Sequence, residues 1–513
     1  MNEPSNTGAQ PAARNNGLRE GVLGTSDIVF MVMAAAAPMA VVVALMPIAL
    51  AFGNGAGVPG TYFCAIGAML LFAMGYVRII PFVQNAGAFY AYISASIGRV
   101  WGLAAAYVAA LSYFVLSCST IAALAYFAES FFDRVTGSAA HWSFWAFASI
   151  ALISWFSYHR ITLAAKVLGV ALVAEIAIIL WLDVAIIRDV GIGAFDVGNF
   201  QPASVLAPGL GIAAIYVFSS MIGVEGTAIY QEEAKQREVT VPRATYVAVV
   251  LVGLFYVFTA WCLVSSVGAS RVGDVAGADP GSFIVNLGRG HLGDAGATAI
   301  SVLVLTSAFA AALALFNNAT RYLYALARDG VLPQPLSRTH PRHRSPHIAG
   351  LGLTVALIVV FVLAALAGLH PLLNVATALT GLGTVGLMTL LSATALAIPI
   401  FFARRQSFSF PTTVAPAIGG VTIATATALS FTNYSALTGV DSALINRLPY
   451  ALLAVAILGS VQAMWLRRNR PGLYSRIGSA RVDDAADVKG PASAASVTDP
   501  ESSLGAAANT LGR

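Results

Sequence analysis

The sequence predicts an all-α integral membrane protein of 12 transmembrane helices, and three observations carry that prediction. Of 513 residues, 58% are hydrophobic and only 10% are charged, where a soluble domain carries about 25% charged residues. The apolar residues come in runs of about twenty, the length a spanning helix needs, and not in the ten-residue alternation of a membrane barrel. Lys and Arg are confined almost entirely to alternate loops. Mean hydropathy is +0.78. This composition excludes a soluble multidomain enzyme and a disordered chain, and the net charge of +5 implies no nucleic-acid partner.

The spans follow in order. The first five runs lie at 27–50, 60–80, 101–132, 142–158 and 161–187. The third is too long for one straight crossing and is expected to tilt or project. The next five lie at 206–228, 244–267, 295–323, 349–369 and 372–401, and a last pair at 412–433 and 448–466. With the N-terminus inside, 23 of the 28 Lys and Arg fall on the cytoplasmic side and five outside (Arg134, Arg188, Arg271, Arg289 and Arg447). That asymmetry is what the positive-inside rule requires, and a missed span would scramble it. Both termini are therefore expected in the cytoplasm, with disordered tails at 1–26 and 468–513 flanking a transport domain at 27–467. The polar start has no signal-peptide h-region. The Arg-, Ala- and Gly-rich composition suggests a bacterial plasma membrane. Cys64, Cys118 and Cys262 read as small buried residues with no disulfide or metal spacing.

Two spans carry helix-breaking signals. The first reads Ala34-Ala35-Ala36-Ala37-Pro38, and a mid-helix Pro removes a hydrogen bond and clashes with the preceding turn. The sixth reads Ser219-Ser220-Met221-Ile222-Gly223-Val224-Glu225-Gly226, a poor continuous helix. Breaks at corresponding places in two halves of a membrane chain point to a transporter's central site. Ordinary small-residue packing is the plainer alternative.

Two carboxylates lie deep in apolar runs, Glu175 in the fifth span and Glu225 in the sixth. Such residues usually face the bundle interior and serve pathways or proton relays; an interhelical hydrogen-bonded clamp is the alternative for each. Asp183, nearer the end of its span, reads as an interfacial anchor. Asn317 and Asn318 read as polar glue between helices. His340, His343 and His347 lie in a basic loop with Arg342 and Arg344, which fits a solvated cytoplasmic loop better than a metal site. No catalytic triad, nucleotide motif or metal set is present, so no enzyme activity and no cofactor is expected.

Four segments resemble the amino acid–polyamine–organocation (APC) superfamily of permeases. They are Asn85-Ala86-Gly87-Ala88-Phe89-Tyr90-Ala91-Tyr92, Ser220-Met221-Ile222-Gly223-Val224-Glu225, Glu232-Glu233-Ala234-Lys235 with Val241-Pro242-Arg243-Ala244, and Arg321 through Pro333. Their order and spacing cover roughly residues 20–467. The resemblance implies a LeuT-like 5+5 inverted repeat with broken helices 1 and 6 and two extra helices. It implies a substrate site at Ala35, Ala36, Ala37, Ser117, Ser219, Ser220, Met221 and Ile222, with breaks at Pro38, Gly223 and Gly226. It further implies secondary active import of an amino acid or related small amine; with a proton as the coupling ion, the depth of the two acids in apolar runs makes Glu175 the candidate coupling group with Glu225 supporting, and a cationic substrate held by Glu175 is the alternative. Symport, exchange and polyamine or monoamine import all remain open, as does a transporter-like sensor without flux. The Ala-rich first break departs from the family's Gly-rich one, and the family's occasional fifth-helix Lys is replaced by Glu175.

Overall fold

The computed structural model describes residues 23–83, 89–138, 140–159, 163–227, 234–341, 343, 345–435 and 443–478. Twelve long helical segments run through them: α1 (Thr25–Phe52), α2 (Gly55–Phe82), α3 (Arg99–Thr136), α4 (Trp142–His159), α5 (Leu163–Val190), α6 (Leu210–Thr227), α7 (Arg237–Val267), α8 (Phe283–Arg328), α9 (His347–Leu366), α10 (Pro371–Ala403), α11 (Phe410–Thr432) and α12 (Tyr450–Asn469). Eleven are long and apolar enough to cross a bilayer. The exception is α4, an 18-residue helix in which Trp142, Trp145, Trp155, Tyr158 and four serines dilute the hydropathy; Trp and Tyr are side chains suited to the membrane interface. Among the described residues the one extended pairing is an isolated bridge between Leu23 and Ala234.

At the centre stands α3, an unbroken helix of 38 residues and thus about 57 Å of rise. It packs against α8, α10, α12 and α4. The approach to α10 is close because Gly383 and Gly386 face Ser112 and Leu116 with no side chain between. The expected eighth span at 295–323 is longer in the structure. α8 begins at Phe283, and Gly293, at φ 73°, kinks it where only a glycine is comfortable.

Three expectations need correction. Asp183 does not reach an interface: it is 0% exposed because α5 continues to Val190, two further turns. Its Oδ2 instead accepts from the Thr259 hydroxyl of α7 at 2.8 Å. Cys64 is exposed while Cys118 and Cys262 are buried, and all three are free thiols; Cys64 lies beside exposed Phe63 on an outward face of α2. The expected tail at 468–513 is ordered at its start. After Asn469, residues Pro471–Arg476 form a short helix that returns to the bundle, where Arg99 lies over the Tyr474 ring. The tails at 1–22 and 479–513, Asn85–Ala88, Glu232, Glu233, Arg342 and Arg344 lie outside the described residues.

Candidate functional site

The first break is sharp. Residue 37 precedes a proline, whose ring disfavours the helical conformation behind it. Ala37 adopts φ 46°, ψ 67°, the left-handed region that costs a non-glycine residue about 1–2 kcal/mol. Only Ala37 and Gln406 do this among the described non-glycine residues. The second half of α1 restarts at Pro38 and passes through a π-helical stretch at Val41–Leu45.

A helix N-terminus leaves unpaired N–H groups, and here other helices supply their partners. The Glu175 carboxylate of α5 lies beside the Met39 amide and the Thr306 and Ser307 hydroxyls of α8. The Ser307 hydroxyl in turn accepts from the Ala40 amide at 3.2 Å. On the other side of the break, the Ala36 carbonyl accepts from the Tyr256 hydroxyl of α7 at 3.2 Å. Glu175 is 3% exposed; it ties the start of the second half-helix to α5 and α8.

The break in α6 is built differently. Its regular helix ends at Ser220, a turn follows over residues 221–223, and Gly223 stands at φ 109°, a conformation open only to glycine without strain. Glu225, 5% exposed, folds back so that its Oε2 accepts from the Gly223 amide at 2.8 Å. Its Oε1 accepts from the Tyr113 hydroxyl at 3.0 Å. The Tyr76 hydroxyl donates to the Glu225 carbonyl at 2.8 Å, and Tyr322 stacks on Tyr113. Gly226 lies in the single 3-10 turn that ends α6.

Both breaks meet one internal cavity of about 80 Å³, enclosed by α1, α3, α6, α8 and α10. Of the residues nominated from sequence, Ala36, Ala37, Ser219 and Ile222 line it. The Ala35 side chain lies outside the described residues. Ser117 is turned toward α8, donating to the Ala312 carbonyl at 3.4 Å. Ser220 donates to the Tyr216 carbonyl and pairs with the Tyr62 hydroxyl, so it holds the end of the half-helix. Met221 is buried toward Gly253 of α7. Glu175 and Glu225 do not line the cavity.

The lining also holds residues the sequence did not single out. Ser119 and Thr120 of α3, Tyr216 of α6, and Thr377 and Thr380 of α10 supply its polar groups. Ser119 donates to the Ala376 carbonyl at 2.9 Å and lies 2.5 Å from the Thr380 hydroxyl. Tyr216 is fully buried and its hydroxyl has no partner. Its place three residues before Ser219 was the available signal, since residues three apart share a helix face. The α10 residues carried none, because threonines recur along that run at 377, 380, 384, 389 and 394 and nothing local marks which of them face the cavity. No described lining residue is charged.

Elsewhere, Asn317 accepts from the Ser157 hydroxyl of α4 at 2.7 Å, which is interhelical glue. His340, His343, His347 and His159 gather around Tyr158, and no group among the described residues is arranged to hold a metal.

A bundle of apolar helices, two of them broken at a shared internal cavity, defines a multi-pass membrane protein built around a small-molecule site. The sequence profile of the amino acid permease family matches residues 27–470, and the chain belongs to that family. It is 26% identical over 299 residues to the low-affinity putrescine importer PlaP of Escherichia coli, covering 56% of this chain and 63% of that protein. It is 24% identical over 315 residues to the branched-chain amino acid permease BcaP of Bacillus subtilis, covering 58% and 65%. It is 25% identical over 294 residues to a methylthioribose transporter of Bacillus subtilis, covering 54% and 61%. The matched stretch thus spans less than two thirds of each relative.

Proposed function

We propose that the chain is a secondary active transporter that imports an amino acid or a related small amine across a bacterial plasma membrane, coupled to protons. The observation that carries this reading is that the breaks of α1 and α6 open on one cavity walled by α3, α8 and α10. The relatives support a transporter of small amino or polar solutes, and their named substrates differ from one another. In this reading α4 is the twelfth span, α1–α5 and α6–α10 form an inverted repeat, and both termini face the cytoplasm. No resident cofactor takes part.

Glu175 is the coupling group in this scheme. As a carboxylate it latches the Met39 amide to α5; on taking a proton it loses charge and the latch weakens. Water reaching the group from alternate sides then lets the half-helix swing as the proton is exchanged. Glu225 braces the opposite break and holds the cytoplasmic tyrosines together.

Purified protein in proteoliposomes with an inward proton gradient tests the reading. Substrate accumulation that collapses with a protonophore is the expected result. Ala36→Leu or Ser219→Leu should fill the cavity and abolish uptake in folded protein. Undiminished uptake by both variants overturns the site, and accumulation indifferent to the protonophore overturns proton coupling.

A further inference from the structure

We propose that Asp183 passes protons from the outer side to Glu175 along the seam between α5 and α7, a route separate from the substrate cavity. The proposal rests on the proton-coupled reading above and adds a second acid to it. Both acids lie on the buried face of α5 with Leu172, Ile179, Leu182 and Ile186, while Val173, Leu180, Trp181 and Val184 are exposed on the other face. Eight positions separate them, about 12 Å along the helix. α5 packs against α7, α8 and the restart of α1 at Pro38–Ala40. Asp183 is 0% exposed. Its Oδ2 accepts from the Thr259 hydroxyl at 2.8 Å, and its Oδ1 has no partner. No counter-charge is at hand, because residues 28–52 of α1, 247–267 of α7 and 295–320 of α8 contain no Lys, Arg or His. A buried carboxylate in such surroundings calls for a mobile cation to neutralise it. A metal ion needs a shell of about six oxygens, and among the described residues a single hydroxyl is hydrogen-bonded to this group. A proton needs no shell.

The facing helix supplies the rest of the track. Tyr256, Thr259, Leu263 and Ser266 recur at the spacing that places residues on one helix face, and Cys262 adjoins them. At the inner end the Tyr256 hydroxyl donates to the Ala36 carbonyl at 3.2 Å, which puts the track at the α1 break. At the outer end Ser266 stands one residue before α7 stops at Val267, and its buried hydroxyl has no partner. From Ser266 to Tyr256 the face runs about 15 Å. Water admitted from the outer side bridges its hydroxyls into a chain. The titratable groups along the track are Glu175, Asp183, Tyr256 and Cys262. At its outer end stand Arg188, Arg271 and the paired Asp189 and His291. Asp183, Thr259, Cys262 and Ser266 do not line the substrate cavity. Proton entry and substrate entry can therefore be damaged separately.

Proteoliposomes of the full chain test this with labelled leucine and labelled putrescine as probes. Each is measured as accumulation under an inward proton gradient and as counterflow at equal pH, which needs no net proton movement. Asp183→Asn keeps the shape and still accepts from Thr259. It should lower accumulation at least about tenfold and counterflow less than about threefold. Near wild-type values of both would make Asp183 a clamp between helices, and equal loss of both would make it a folding element; either overturns the proposal. Ser266→Leu closes the outer end with an apolar side chain and should lower accumulation more than counterflow, and unchanged accumulation overturns the outer route. Wild type that accumulates neither probe overturns the transport reading for both, and the acid is then judged without a substrate. Dicyclohexylcarbodiimide adds to protonated carboxyl groups in apolar surroundings. An adduct on Asp183, read by peptide mass at pH 7, supports a proton-carrying group there, and its absence overturns one.

Discussion

The two helix breaks solve one structural problem in opposite ways. In α6 the positive φ falls on Gly223 and part of the brace is local: Glu225, two residues along, bonds the Gly223 amide, while Tyr113 of α3 and Tyr76 of α2 hold Glu225 in turn. In α1 the positive φ falls on Ala37, and the brace comes from other helices: Glu175 on α5, Ser307 on α8 and Tyr256 on α7. A break with a local brace keeps that one contact when its helix moves. A break braced from outside is a joint, since its geometry persists only while three neighbours hold it. In the transport reading proposed above, the carboxylate at the joint is the one whose protonation reaches three other helices, although Glu175 and Glu225 are both buried.

The comparison is broken most directly at the two acids. Glu175→Gln keeps the shape and loses the charge, and should reduce proton-driven accumulation in proteoliposomes by at least about tenfold while substrate binding persists. Glu225→Gln should slow uptake less and keep its dependence on the proton gradient. Equal effects of the two, or full proton-driven uptake by Glu175→Gln, would remove the distinction.

Next in size come the backbone substitutions, which should differ in sign. Gly223→Ala forces a side chain onto φ 109° and should destabilise the purified protein by about 1–3 kcal/mol. Ala37→Gly relieves the left-handed alanine and should stabilise the break by up to about 1 kcal/mol, partly offset by the freer unfolded chain. Melting temperatures of the two variants in one detergent read both. A lower melting temperature for Ala37→Gly would mean the alanine methyl contributes packing that outweighs its strain.

The smallest effect is at the start of α10. His370 precedes α10, and its Nδ1 accepts from the Leu373 amide at 3.1 Å, one turn before the cavity residues Thr377 and Thr380. Partial burial pushes the imidazole below its ordinary value, with Glu129 nearby opposing. The neutral ring that caps the helix is thus favoured by folding. Its contribution is complete above the unfolded value of about 6.5 and is lost as pH falls below it. The wild-type melting temperature should decline more steeply from pH 7 to pH 5 than that of His370→Asn, which caps without titrating. Parallel pH profiles would show that the cap carries no pH dependence.

Much of the bundle was readable in the sequence because apolar length and Lys/Arg bias report directly on bilayer crossing. Pro38 and Gly223 announced the breaks, since backbone chemistry is local. What the sequence hid was facing. Ser219 and Ser220 are adjacent and chemically identical, yet one lines the cavity and the other caps its own helix; a one-residue step turns a side chain by about 100°. Glu175 announced itself as a buried acid but not its partners, which lie more than 130 positions away in α1 and α8. Asp183 misled because distance from a helix end was judged from an end placed three residues short.

The short helix after α12 carries a practical consequence for anyone handling this protein. Asp329, at the end of α8, accepts from the Tyr90 hydroxyl at 2.9 Å, and the backbone at Gly478 packs against Ser94 and Tyr90, so three distant segments meet at one place. A truncation or fluorescent fusion placed at residue 470 would remove that packing and loosen the helix Phe89–Ile97 from the end of α8. A tag attached beyond Gly478 leaves that packing in place, and monodisperse elution of that fusion beside a ragged profile for the shorter one would show that the segment from 471 to 478 contributes to the fold.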